Sequence, residues 1–182
     1  MTSRRPAELR VLLSGGDRRG IARSAVARRL IEAEPARVRD LVALTSDPDW
    51  LVVQRALDLL EKLAHDQPAW VAPYKTVFLG SLADDEHWEV RLQIVRALPL
   101  FRWSAAQARR VEAILRENVN FPQTFVRAWA LNSLALLAKG RPRLGPLVRR
   151  HLREFGRSDS KALQARARAI KTSWGQRSRR SS

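Results

Sequence analysis

The side chains able to do chemistry are few, and their spacing does not suit it. Three histidines, His65, His87 and His151, are scattered without metal-ligand spacing such as HExxH. Cysteine is absent, which removes disulfides, thiolate metal sites and cysteine nucleophiles together. No G-x-S-x-G, P-loop or G-x-G-x-x-G occurs, and Ser14-Gly15-Gly16-Asp17 reads as a turn between helices. The acidic pair Asp84-Asp85 falls at a helix start, where carboxylates cap orphan N–H groups and suit the helix dipole. His87 shares that turn and reads as exposed. The sequence therefore shows no catalytic residue, metal site or cofactor site, and the chain does not read as an enzyme.

Binding chemistry is better supplied. The 182 residues carry a net charge of +16. Residues 1–31 hold eight basic and two acidic residues, and residues 141–182 hold thirteen and two. The intervening stretch is balanced, with thirteen basic and fourteen acidic residues. Such ends suit a polyanionic partner, whether nucleic acid, acidic protein or anionic surface. Arg outnumbering Lys also fits a compositional bias with solvated faces. Six tryptophans provide stacking surfaces.

The elements that position these residues are helices. Gly and Pro are sparse in the interior, and apolar residues recur at helical spacing with breakers every 15 to 20 residues or so. Gly140 with Pro142, and Gly156, mark helix ends. Ser104-Ala105-Ala106-Gln107 is a capping-box pattern. Asp66-Gln67-Pro68, Ser46-Asp47-Pro48-Asp49, Asn120-Phe121-Pro122 and Ser158-Asp159-Ser160 are further openings. A column recurs along the second helix of each hairpin. It comprises Ile21, Ala25 and Leu30; Val52, Ala56 and Leu60; Val90, Ile94 and Leu98; Val126, Ala130 and Leu134; and Leu163, Ala167 and Ile170. Lead positions lie 31, 38, 36 and 37 residues apart, the near-constant period of stacked hairpins that bury faces against their neighbours.

At these residues the chain resembles the HEAT-repeat family, which places an Asp in the inter-helix turn and an Arg six residues later. Asp85 with Arg91 fits fully. Asp47 matches in the preceding hairpin, where Val53 replaces the Arg; Arg127 matches in the following one, where Phe121 replaces the Asp. The resemblance implies an all-α, right-handed α-solenoid of about five antiparallel helical hairpins. It also implies an inter-repeat ladder in which Asp47 serves Arg91 and Asp85 serves Arg127. Residues 1–172 form one domain in this reading, and 173–182 a basic, disordered tail. The apolar stretch after Arg4-Arg5 is only Val11-Leu12-Leu13, and no run approaches a membrane span. The chain reads as soluble and cytoplasmic.

Two surfaces stand out. Three residues after the lead position lie Arg55, Gln93, Trp129 and Arg166, and three further Asp58, Arg96 and Asn132. If this column faces solvent on a concave side, Arg55, Gln93, Arg96, Trp129, Asn132 and Arg166 line a groove for peptide or nucleic acid. The alternative is Trp129 buried against the last hairpin. Arg149, Arg150 and Arg153 form the second surface, beside Arg166, Arg168 and Lys171. Trp50 and Trp88 are placed to pack the inter-helix turns, and Trp70 to join the core. The leading reading is a protein-interaction scaffold. The alternative is a non-specific nucleic-acid binder using the basic ends. A third, by fold-level analogy alone, is a relative of HEAT-like DNA-repair glycosylases, with Trp129 or Trp50 near Asp58.

Overall fold

In the computed structural model, which describes residues 4–15 and 23–178, all regular structure among the described residues is helical. The chain divides into two compact units, residues 1–101 and 102–182. In the first, α1 (Arg4–Leu13) pairs with α2 (Ser24–Ala33), and α3 (Val38–Ala43) with α4 (Trp50–Asp66). The third hairpin has no long first helix. The four-residue α5 (Pro68–Val71) gives way to 3-10 turns over Ala72–Leu79 and Ser81–Asp84, followed by α6 (Trp88–Ala97). Pro73 has no N–H for an α-helical bond and restricts the residue before it, so the chain tightens there. In the second unit α7 (Ala105–Asn118) pairs with α8 (Thr124–Ala138), and α9 (Gly145–Gly156) with α10 (Lys161–Ser178).

Three helices, α4, α7 and α10, begin where a polar side chain accepts an orphan N–H group. Asp49 opens α4 by accepting from the Leu51 N–H at 2.9 Å, while Asp47 accepts from the Asp49 N–H. Ser104 opens α7 as a reciprocal capping box. Its hydroxyl accepts from the Gln107 N–H, and the Gln107 amide oxygen accepts from the Ser104 N–H. Ser160 accepts from the Leu163 N–H at the start of α10.

The repeating column forms the core of four hairpins. From Val52 through Ile170, none of its twelve members is more than 3% exposed. Burying a branched side chain of this size stabilises by about 1.5–3 kcal/mol. The small members, Ala56, Ala130 and Ala167, let neighbouring helices approach. Accordingly α4 packs on α6, and α8 on α10. The first hairpin differs from the sequence reading. Ala25 is exposed and Leu30 half-buried, and the buried pair is Ala27 and Ile31. Here α2 starts only at Ser24, so the column shifts; Ile21 lies outside the described residues. At the other end α10 continues past Thr172 to Ser178, and residues 179–182 are outside the description. No helix among the described residues is long and apolar enough to cross a membrane.

The Asp-to-Arg ladder takes another route. The almost buried Asp47 accepts from Arg10 Nε at 2.7 Å and Arg10 NH2 at 3.2 Å, so it ties α4's opening turn back to α1 rather than forward to Arg91. Arg91 Nε instead donates to the Asp85 carbonyl oxygen in its own turn. Arg127 donates to the Val119 carbonyl and to Glu154. The Arg10 hydrogen bond holds the Asp47 carboxyl below its ordinary 3.8. Asp47 therefore contributes stability that is fully present above that value and lost as pH falls through the depressed one. Asp47→Asn is expected to lower Tm by about 2–4 °C at neutral pH. That gap should close as pH drops below 3.8; a gap independent of pH in calorimetric melts would contradict the assignment.

Candidate functional site

The candidate column behaves differently in the two units. In the first it is internal. Arg55 on α4 is only 2% exposed, and its NH1 donates to the Leu13 carbonyl at 2.8 Å and the Gly15 carbonyl at 2.7 Å. It fastens the end of α1, where Gly15 adopts φ of +76°, a left-handed conformation that costs glycine little. Gln93 on α6 is also buried, with Oε1 lacking a donor. Arg96 NH2 donates to Glu61 Oε2 at 3.0 Å. Burial raises the Glu61 pKa, with Arg96 acting against that rise. Such a pair orders the helix contact more than it stabilises it, because desolvation offsets much of the attraction. Asp58 pairs with Lys62 at 2.6 Å. Trp50 stacks on His87 at 4.3 Å, and His87 Nδ1 lies 2.9 Å from Asp85 Oδ1. His87 is half-buried rather than exposed. Trp70 and Trp88 are half-buried as well.

In the second unit the column opens. On α8, Val126 is buried, while Trp129 and Asn132, three and six residues on, lie on the half-exposed flank. On the adjacent α10, Arg166 holds its guanidinium carbon 4.1 Å from the centre of the Trp129 ring. That distance is a cation–π stack, which fixes a flexible cation in place. The Asn132 amide, with both donor and acceptor capacity, has no hydrogen-bond partner among the described residues.

Arg149, Arg150 and Arg153 are exposed on α9. The Arg149 guanidinium lies across Gly145 one turn earlier, where a Cβ would meet NH1 at 3.1 Å. Arg149, Arg153 and Lys171 surround Leu152 in a small cleft of about 270 Å³. Arg150 turns toward His151, its NH2 being 3.4 Å from Nε2. His151 is buried and faces Glu154 and Phe155; burial lowers its pKa. The charge contrast between the units is large. Residues 102–182 hold nineteen basic and four acidic residues, against fifteen and fourteen in residues 1–101.

A further cleft was not singled out from the sequence. Ala105, Ala108, Arg109, Glu112, Ala113 and Arg116 line one face of α7, opposite Arg141 and Arg143, with Trp103 at one end. Its volume is about 680 Å³. Glu112 is 7% exposed and is bound by Arg116 at 2.8 Å and by Arg143 at 2.6 Å. Burial pushes its carboxyl up, but the two guanidinium bonds outweigh that and hold it low. The i, i+3, i+4, i+7 spacing of the α7 residues was the available signal. Only the fold brings Arg141 and Arg143 opposite them.

No protein-family model and no curated protein matches the chain. Solved structures do. The chain is similar to computationally designed armadillo repeat proteins for modular peptide recognition, at 19% identity and a TM-score of 0.60, over 90% of this chain and 79% of that one. A second designed armadillo repeat protein gives 19% identity and a TM-score of 0.58, over 89% and 79%. The chain is thus an all-α solenoid of helical repeats.

The contrast between the two columns predicts contrasting variants. Arg55→Met should lower unfolding free energy by about 2–3 kcal/mol, since the buried Leu13 carbonyl and the more exposed Gly15 carbonyl both lose a charged donor. Arg166→Met should cost less than about 1 kcal/mol, the range of an exposed cation–π contact. Urea unfolding followed by circular dichroism measures both, and equal losses would contradict the distinction.

Proposed function

We propose that the chain is a non-catalytic protein-binding repeat module, of the HEAT-like two-helix type, whose second unit receives an extended acidic segment of a partner. The observation that carries this is the Arg166 guanidinium stacked over Trp129, beside an Asn132 amide without a hydrogen-bond partner among the described residues. An amide on a rigid helix can donate to and accept from a peptide main chain, which reads extended backbone without regard to sequence. The stacked guanidinium supplies directional bonds to a carboxylate, and the Trp129 ring gives apolar area at low entropic cost. Arg149, Arg150 and Arg153, with the excess charge around them, raise the encounter rate with an acidic partner. One of the two solved-structure matches is described as designed for modular peptide recognition, which supports the same class of partner. The paired helices, with an Arg91-to-Asp85 bond in the turn of the third hairpin, support the HEAT-like type.

In this reading Arg55, Gln93 and Arg96 act indirectly, by holding α4 and α6 in place. The exposed Arg149, Arg150 and Arg153 favour a second reading, nucleic-acid binding through phosphate contacts, in which affinity follows charge and salt and not the Trp129 pocket.

Fluorescence anisotropy separates the two. The ligands are a labelled ten-residue Asp/Glu-rich peptide, a Lys-rich control, and single- and double-stranded DNA, each at low and near-physiological salt. The acidic peptide should bind in the micromolar range, and Trp129→Ala and Arg166→Ala should each weaken it about tenfold, or about 1.4 kcal/mol. Absence of peptide binding at low salt, or indifference to both substitutions, would overturn the proposal. DNA binding that outlasts the peptide's and ignores Trp129→Ala would put the second reading in its place.

A further inference from the structure

The cleft on α7 lies on a first helix of the second unit, away from the second-helix flank of Trp129 and Arg166, and its chemistry is distinct. Four guanidinium groups, those of Arg109, Arg116, Arg141 and Arg143, line the cleft together with one carboxylate, Glu112. Arg116 and Arg143 are already directed by that carboxylate at 2.8 and 2.6 Å. The other two are not neutralised there. Arg109 has no hydrogen-bond or ion-pair partner among the described residues. Arg141 NH1 is buried and likewise lacks one. A buried donor without an acceptor is destabilising, and an oxyanion in the cleft would supply the missing partner.

The remainder of the lining is apolar. Ala105, Ala108 and Ala113 give a low floor along α7, and half-buried Trp103 closes one end. From Ala105 to Arg116 the floor runs about 16 Å at 1.5 Å per residue. A volume of about 680 Å³ falls within the range of small-molecule sites, roughly 300–1,000 Å³. An anion-binding rim over a flat apolar floor with an aromatic wall suits a ligand that has a phosphate at one end and a planar body at the other.

We infer that this cleft binds a nucleoside phosphate. Its phosphate is held between Arg109 and Arg141, and its base lies over the alanines toward Trp103. Glu112 is a positioning residue, since it fixes the directions of Arg116 and Arg143 while leaving the cleft a net cationic excess. No covalent step is involved.

Isothermal titration of the full chain with AMP, adenosine and inorganic phosphate tests this, with thermal melts confirming that each variant folds. AMP should bind saturably with Kd below about 1 mM. Phosphate should compete more weakly, and adenosine alone should give no saturation. Arg109→Ala and Arg141→Ala should each raise the AMP Kd about tenfold. Arg168→Ala removes an exposed charge of the same unit outside the cleft and should leave it unchanged. Trp103→Phe should preserve binding, and Trp103→Ala should bring AMP down toward phosphate. The inference is overturned by absence of saturable AMP binding, by phosphate binding as tightly as AMP, or by Arg168→Ala costing as much as Arg109→Ala.

Discussion

The structure depends on one constraint, that a helical hairpin cannot bury its inner face alone. The second helices α4, α6, α8 and α10 present an apolar column at i, i+4 and i+7 or i+8, and that column is covered by the partner helix and the adjacent hairpin. Once Val52, Val90, Val126 and Leu163 are committed inward, the residue three further on has a determined direction. The candidate flank is therefore a consequence of core register. It is also why the candidate residues are helix residues with restricted rotation, and not loop residues.

Whether that flank is open depends on what shares it. In the first unit carboxylates are available in nearly equal number to the cations. Arg10 meets Asp47, Arg28 meets Glu32 and Asp66, Arg37 meets Glu8, and Arg96 meets Glu61. Arg55 is consumed by two carbonyls. In the second unit four acidic residues face nineteen basic ones, and one of them, Glu112, serves two arginines. Like charges at this density repel, and an anionic ligand relieves that repulsion on binding. The same residue type is thus an internal strut in the first unit, at Arg55, and part of a half-exposed aromatic stack in the second, at Arg166.

Much of the fold was legible in the sequence because periodicity reports burial directly. The Ser104 capping box, the Asp49 opening and twelve column residues were readable from spacing alone. The first hairpin was not, since the Ile21 register assumed a helix start before Ser24. The third hairpin's broken first helix followed from Pro73, a local restriction that a search for apolar repeats passes over. At the candidate site, spacing located Trp129, Asn132 and Arg166 but gave the same weight to Arg55 and Gln93. Side-chain direction alone cannot tell a solvent-facing Arg from one that reaches two carbonyls forty residues away in sequence. The α7 cleft escaped for a related reason, since Arg141 and Arg143 join α7 only through tertiary structure.

The most direct test of the account is a ¹⁵N-resolved NMR titration of the full chain with an unlabelled acidic peptide. The Trp129 indole, the Asn132 side-chain amide and the Arg166 Nε–H are expected to shift together and saturate at one stoichiometric site. Shifts spread over Arg149, Arg153 and Arg168, with those three signals unmoved, would contradict it and leave only diffuse charge attraction.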